Sequence, residues 1–383
     1  MITDHSNMPT LFDDIIHSIV PVESNVAVLY SEWEQFLSSL EHDLPWVTIK
    51  DDGDTVCVGH LSPGCQLCKS GEWDCLFVTS ECNLDCRFCI SPFQNHSIPL
   101  SALGRDVQEL MLNYRKAGIR GSSFSGGEPF VRFDELLNWL CVLKKEFPDN
   151  YCWIYTNAVL ASEEKIDRLA DSGLHEIRVN TAATGYNHPD IMRILEYSAN
   201  RLQVTVEIPL IRKDYELLRS ALKDYTSAGM TYPNVHELMR ECNTPSRNLN
   251  DEMFTPFIFP DGHETAVSAD SREIVQDMLR FLSDPNLSCN LNFCSTVNKL
   301  RQLRKRRENM MPFISSHFKP TGSDCLETVF LFRNQNDYQW LHPDIWNKHK
   351  SQFGDYQAYR LRKMIPLSLW DPGRYISAIR IED

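Results

Sequence analysis

The sequence predicts an α/β fold, a partial (β/α)6 parallel TIM-like barrel with N-terminal and C-terminal extensions. Three observations predict it. From about Cys75 to Arg240, short apolar runs alternate with amphipathic stretches, as repeated βα units require. The apolar runs recur every 25 to 45 residues or so, enough for a strand, a helix and two turns. Residues 1–70 and 245–383 do not continue the alternation and contain no internal repeat, low-complexity tract or Gly/Ser linker, so they read as extensions of a barrel over 71–244.

The expected strands are Cys75–Thr79, Gly121–Ser125, Tyr151–Thr156, Glu176–Asn180, Val204–Leu210 and Asn234–Leu238. Between them, Asp106 opens a segment in which Val107, Leu110, Met111 and Tyr114 keep helical spacing. Ser162 is an N-cap followed by Glu163 and Glu164, and Gly173 stands past that helix's end. A further helix spans Asp214 to Gly229. Toward the C-terminus, strands are expected at Thr328–Phe332 and Tyr375–Ile381. Ligands of such a barrel sit at the C-terminal ends of its strands, so motifs there carry the most weight.

With 42% hydrophobic residues in 383, the chain can fill a core. Its 38 Lys and Arg against 52 Asp and Glu give a net charge of 38 − 52 = −14, which opposes a general nucleic-acid role. No signal-peptide pattern and no apolar run of roughly 18 residues is present, so a cytoplasmic location away from membranes is expected. Seven of the thirteen cysteines lie between Cys57 and Cys89, at spacings that suit metal ligation better than a disulfide framework.

Directly after the first expected strand comes Cys82-Asn83-Leu84-Asp85-Cys86-Arg87-Phe88-Cys89. Three thiolates on one loop can hold three irons of a [4Fe-4S] cluster and leave the fourth open; a zinc site with one remote ligand is the competing reading. The second expected strand ends in Ser125-Gly126-Gly127-Glu128-Pro129. Together these motifs resemble the radical S-adenosylmethionine superfamily, whose loop has this spacing with an aromatic residue before the last cysteine, here Phe88. The resemblance implies that the Gly126-Gly127-Glu128 segment holds the methionine amino group, with glycines allowing close backbone approach.

Polar side chains inside barrel strands need a reason. Alternation turns Arg178, Asn180 and Glu207 toward the lumen, and puts Trp153, Tyr155 and Asn157 on one face. The resemblance suggests Arg178 or Asn180 for the cofactor carboxylate and Glu207 or Asn157 for the sugar hydroxyls; alternatively, Arg178 and Glu207 pair with each other. Glu237, at the end of the sixth strand, is open to either substrate contact or structural pairing.

The resemblance further implies reductive cleavage of S-adenosylmethionine to a 5′-deoxyadenosyl radical, hydrogen abstraction from a small-molecule or peptide substrate, and flavodoxin or ferredoxin as electron donor. From Leu67 to about Leu303 the layout is similar to uncharacterised proteins related to pyruvate formate-lyase activating enzymes. The long C-terminal region and the lack of an eight-cysteine ferredoxin insert depart from true activases. A glycyl-radical-enzyme activase and a natural-product peptide-modifying enzyme are the alternatives within this chemistry, and a non-catalytic metal-binding scaffold is the alternative outside it.

Cys65 and Cys68, with Cys289 and Cys294, form two pairs that could close a zinc site or an auxiliary iron–sulfur cluster. The basic run Lys299–Arg307 reads as an amphipathic helix with a solvated or acid-paired face.

Overall fold

The computed structural model describes residues 24–90, 114–241, 249, 252–259, 264–282, 290–321, 324–334, 337–365 and 375–381. The described residues form two compact units, one drawn from residues 28–256 and 265–302, the other from 1–27, 257–264 and 303–383.

In chain order, the elements up to the barrel are α1 (Val26–Asp43), β1 (Thr48–Lys50), β2 (Thr55–Cys57), α2 (Pro63–Ser70) and β3 (Trp73–Thr79). Then come β4 (Gly121–Gly126), α3 (Phe133–Glu146), β5 (Tyr151–Thr156), α4 (Glu163–Asp171), β6 (Glu176–Val179), α5 (Pro189–Ala199), β7 (Gln203–Pro209), α6 (Tyr215–Ser227) and β8 (Tyr232–His236). They are followed by β9 (Met239–Glu241), β10 (Phe254–Ile258), β11 (Glu264–Ser268), α7 (Asp270–Phe281), β12 (Asn292–Cys294) and α8 (Thr296–Met310). All six expected barrel strands are present, and β3 to β8 lie side by side in sequence order, parallel throughout.

The sheet extends past both expected boundaries. Beyond β8 it adds β12 in parallel, then the antiparallel hairpin β2–β1. Residues after 245 therefore do continue the α/β alternation, through α7, β12 and α8, contrary to the sequence expectation. At three residues, Asn292-Phe293-Cys294 is too short to show a period.

Local chemistry explains the ends. Ser62 caps α2 by accepting from Cys65 N at 3.2 Å, Pro63 occupies the first turn, and Gly71 closes the helix at φ 75°. Ser162 caps α4 by accepting from Lys165 N at 3.3 Å, leaving Ile166 and Leu169 buried. Of the expected helix from Asp106, residues 106–113 lie outside the described residues, and the stretch from Tyr114 to Ala117 is helical. Strands β5 to β7 are buried along nearly their whole length, so a polar side chain there faces the lumen or a partner.

The second unit carries β13 (Lys319–Thr321), β14 (Cys325–Asn334), β15 (Asp337–Leu341), α9 (Pro343–His349), β16 (Gln357–Met364) and β17 (Tyr375–Ile381). All the pairings of its sheet are antiparallel, and both expected C-terminal strands fall within it. Val329, Leu331, Trp346 and Ala358 form a core cluster there. Among the described residues, no helix is long and apolar enough to cross a membrane. The basic helix α8 is acid-paired, with Arg301 on Asp54 at 2.7 Å and Arg304 on Asp324 at 3.2 Å.

Candidate active site

The cysteine loop leaves β3 and is clasped at several points. Cys89 N donates to Cys86 O at 3.1 Å, which closes the loop's last turn. Between those cysteines, Arg87 reaches Asp214 at 2.5 Å, and Tyr186 donates its hydroxyl to the same carboxylate at 3.0 Å. Phe88 packs on the Ile211, Leu238 and Leu249 cluster. Replacing Asp214 by alanine is expected to release both Arg87 and Tyr186, costing about 1–3 kcal/mol per orphaned partner. Iron retention on gel filtration after reconstitution should fall with it; full retention would show that the clasp does not order the loop.

The diglycine turn lies directly against this loop. Gly127 N donates to Thr79 O at 2.7 Å and Glu128 N to Glu81 O at 2.7 Å. A Cβ at Gly126, where φ is +127°, would fall 2.1 Å from Thr79 O; one at Gly127 would fall 2.0 Å from Glu81 O. Here the close approach that demands glycine is to the backbone leading into the cysteine loop. Glu128 is 1% exposed and fully engaged: it accepts from Thr156 Oγ1 at 2.7 Å, Asn157 N at 2.7 Å and Phe130 N at 3.1 Å. Burial pushes its carboxyl up from the ordinary range against those three donors. It joins the ends of β4 and β5. Asn157 completes the chain by donating from Nδ2 to Asn83 Oδ1 at 2.8 Å, beside Cys82.

On the lumen side of the barrel the alternation holds. The Arg178 guanidinium lies over Trp153 and Tyr155, 5.2 and 5.4 Å from the ring centres. It donates to Glu207 Oε1 at 2.7 Å and Ser62 Oγ at 3.0 Å, while its Nε is 2.8 Å from Glu176 Oε1 but off the hydrogen-bond line. Arg178 and Glu207 thus meet each other, the alternative open from the sequence. Burial pushes Glu207 up, but His236 and Arg178 outweigh it and hold the carboxyl at about 2. Asn234 donates to Glu207 Oε2 at 2.8 Å, and His236 Nε2 bonds the same oxygen. Glu237 is structural: it accepts from Arg272 Nε at 2.8 Å and from Thr296 N, at the start of α8, at 2.7 Å.

One cavity of about 540 Å³ gathers most of these groups. Cys82, Cys86 and Cys89 line it with Phe88, Ser125 and Gly126 to Glu128, as do Asn157, Arg178, Asn180 and Glu207. The three loop cysteines are half-buried, and none of them is in a disulfide. Three thiols around a cavity, on a loop pinned by its neighbours, fit a [4Fe-4S] cluster, in which each would ligate a different iron. Asn180 Oδ1 is buried with no hydrogen-bond partner.

Cys65, Cys68 and Cys294 line the same cavity, whereas Cys289 lies outside the described residues. Among the described residues, the loop cysteines included, no group of three or more His, Cys, Asp or Glu side chains is placed to share a single metal ion; the fit of Cys82, Cys86 and Cys89 is to a cluster, whose thiolates sit on separate irons. The residue sequence reasoning missed is His236, a neighbour of both Glu207 and Cys294. Its signal was the period of two that puts it on the lumen face with Asn234.

A parallel partial barrel with a three-thiol loop against a diglycine strand end is the arrangement that the resemblance to the radical S-adenosylmethionine superfamily leads one to expect. Residues 76–202 match the Radical SAM superfamily. A Methanocaldococcus jannaschii protein described as a candidate glycyl-radical enzyme activating enzyme is 24% identical over 309 residues, which cover 76% of this chain and 79% of that one. The PqqA peptide cyclase of Bradyrhizobium diazoefficiens is 29% identical over 107 residues, 27% of each chain. The crystal structure of Streptococcus suis SuiB bound to S-adenosylmethionine is similar with a TM-score of 0.43 and 15% identity, covering 70% of this chain and 62% of SuiB.

Proposed function

We propose that this enzyme reductively cleaves S-adenosylmethionine at a [4Fe-4S] cluster held by Cys82, Cys86 and Cys89, and abstracts hydrogen from a peptide or small-molecule substrate. The observation that carries the reading is the backbone junction of the diglycine turn and the cysteine loop on one cavity of about 540 Å³. When bound, the cluster and S-adenosylmethionine supply a 5′-deoxyadenosyl radical. The chain's own residues bind, orient and exclude water. Gly126 and Gly127 keep the cofactor shelf at contact distance from the cysteine loop, and Glu128 and Asn157 brace that shelf from behind. Ser125 and the unpartnered amide oxygen of Asn180 are the polar groups offered to the cofactor. A flavodoxin or ferredoxin is the expected electron donor.

A second reading, activation of a glycyl-radical enzyme, is supported by the coverage of the Methanocaldococcus jannaschii relative. The test comes before that choice. After anaerobic reconstitution with iron and sulfide, dithionite and S-adenosylmethionine should yield 5′-deoxyadenosine from the wild type and none from the Cys82→Ala/Cys86→Ala/Cys89→Ala variant. A wild type that binds only zinc and yields none would sink the radical reading.

A further inference from the structure

The basic run of α8 divides in the structure. Arg301 is spent on Asp54 at 2.7 Å, whereas Lys299, the first residue of the run, lines the cavity of about 540 Å³. Lys299 is half-buried, and its Nζ donates to Met239 Sδ at 3.1 Å. Among the described residues, no carboxylate stands within ion-pair distance of it. A thioether is a weak acceptor, and an ammonium carries three hydrogens. A charge drawn partly out of water is normally met by an opposite charge, so this cation has room for an anionic partner that the protein does not itself supply.

The other charges on the cavity wall are taken. Arg178 lies against Glu207 at 2.7 Å and Glu176 at 2.8 Å. Glu237 accepts from Arg272 Nε and Thr296 N, and Glu128 from its three donors. Lys69 is 7% exposed and ends on Asp54 O. Gln302 adds a second donor beside Lys299. The two stand three residues apart on α8, on neighbouring turns, and both line the cavity. Gln302 Nε2 gives a hydrogen to Asn298 Oδ1 at 2.6 Å, and an amide nitrogen carries two. The place is also separate from the cofactor shelf. α8 follows β12, and the strands β5 to β8 stand between β12 and β4, which ends in the diglycine turn. Because the whole chain carries −14, an anion approaches this cavity against the general field, and a local cation offsets that repulsion.

We propose that Lys299, assisted by Gln302, anchors an anionic oxygen group of the substrate, a carboxylate or a phosphate, on the β12 side of the cavity. That the anion belongs to a substrate rests on the function proposed above; that Lys299 binds an anion does not. The bond formed is a charge-assisted one in a partly dry wall, so it sets the orientation of the substrate as well as its affinity. With the anion held at α8, the rest of the substrate extends across the lumen toward Gly126 and Gly127. A neutral molecule of the same shape leaves the ammonium on its thioether and gains no such anchor. No bond of the substrate is made or broken by Lys299.

The test is trace acetylation of the reconstituted, anaerobic holoprotein with acetic anhydride, mapped by peptide mass spectrometry, with and without saturating S-adenosylmethionine. Three probes are titrated at constant ionic strength: N-acetylglycine, inorganic phosphate, and N-acetylglycinamide, the neutral counterpart of the first. With the cofactor present, at least one anion should protect Lys299 with an apparent Kd roughly tenfold or more below that of N-acetylglycinamide, the advantage of a charge-assisted hydrogen bond over a neutral one. The exposed Lys116 should show no protection. Protection by N-acetylglycine alone assigns the substrate a carboxylate, protection by phosphate alone a phosphate, and protection by both supports their shared chemistry. Gln302→Leu should raise the Kd of the favoured anion by about threefold or more, and an unmoved value overturns its part in the site. No protection by either anion, or equal protection by N-acetylglycinamide, overturns the proposal in the wild type, without needing any variant to fold. So does protection of Lys299 by S-adenosylmethionine alone, which would give the ammonium to the cofactor. Failure of the radical reading shows separately, as absent iron or absent 5′-deoxyadenosine in the same preparation.

Discussion

Gly127→Ala is expected to lower 5′-deoxyadenosine formation by about 100-fold or more while leaving most of the secondary structure in place. The added Cβ would stand 2.0 Å from Glu81 O, a backbone atom with no rotamer by which to yield. Relief requires the two backbones to part by about 1 Å, given ordinary carbon–oxygen contact distances. Parting them strains the bonds from Gly127 N to Thr79 O and from Glu128 N to Glu81 O, each worth about 1 kcal/mol. The stability loss is thus modest. The catalytic loss is larger, because a misplacement of about 1 Å between reacting groups costs on the order of 100-fold in rate. Gly354→Ala, where nothing lies within 4 Å of the added carbon, serves as the control. Equal 5′-deoxyadenosine yields from Gly127→Ala and wild type, at equal iron content, would remove the diglycine turn from the cofactor site.

The barrel was legible because its strands are long and evenly punctuated. β5 matches its expected bounds, and β3, β4, β6, β7 and β8 differ only at their ends. The boundary errors have a cause: in Val204–Leu210 and Asn234–Leu238, apolar residues run on after the ladder stops, so composition overstates the strand. β12 escaped notice because three residues carry no period, and its place beside β8 depends on a long-range pairing. The cysteine and glycine motifs were legible together, through their place after successive strands and the family resemblance, since neither spacing decides by itself.

What spacing could not show was the use of the polar lumen residues. Alternation placed Arg178 and Glu207 inward, but only folding reveals that they spend their hydrogen bonds on each other and on Ser62, Asn234 and His236. The same holds for Glu128, whose three donors come from two places, the turn after β4 and the end of β5. Cys294 and His236 are 58 residues apart by number, and nothing in either motif announces the pair that strand register creates.

Arg178→Met tests that buried network and should destabilise the protein by about 3–5 kcal/mol, since it removes one partner of a buried charge cluster. For a unit of this size, that corresponds to a melting temperature lower by roughly 8–15 °C. The methionine fills much of the volume over Trp153 and Tyr155, so the loss reports charge more than packing. Glu176 and Glu207, 0% and 5% exposed, would be left facing each other's charge without the guanidinium. Acid should relieve the variant. In the wild type, Glu207 is held at about 2 against an ordinary 4.5, so its contribution is complete above pH 4.5 and is lost as pH falls toward 2. Without Arg178 that depression shrinks and Glu207 takes up its proton at higher pH, so the gap between variant and wild type should narrow from pH 7 to pH 4. Adding Glu176→Gln to Arg178→Met should recover part of the loss at pH 7, because Glu207 keeps His236 while Glu176 has lost the guanidinium beside it. Thermal melts of the three proteins at the two pH values decide it: a gap that is small at pH 7, or equal at both pH values, would mean that Arg178 supports the barrel by shape and not by charge.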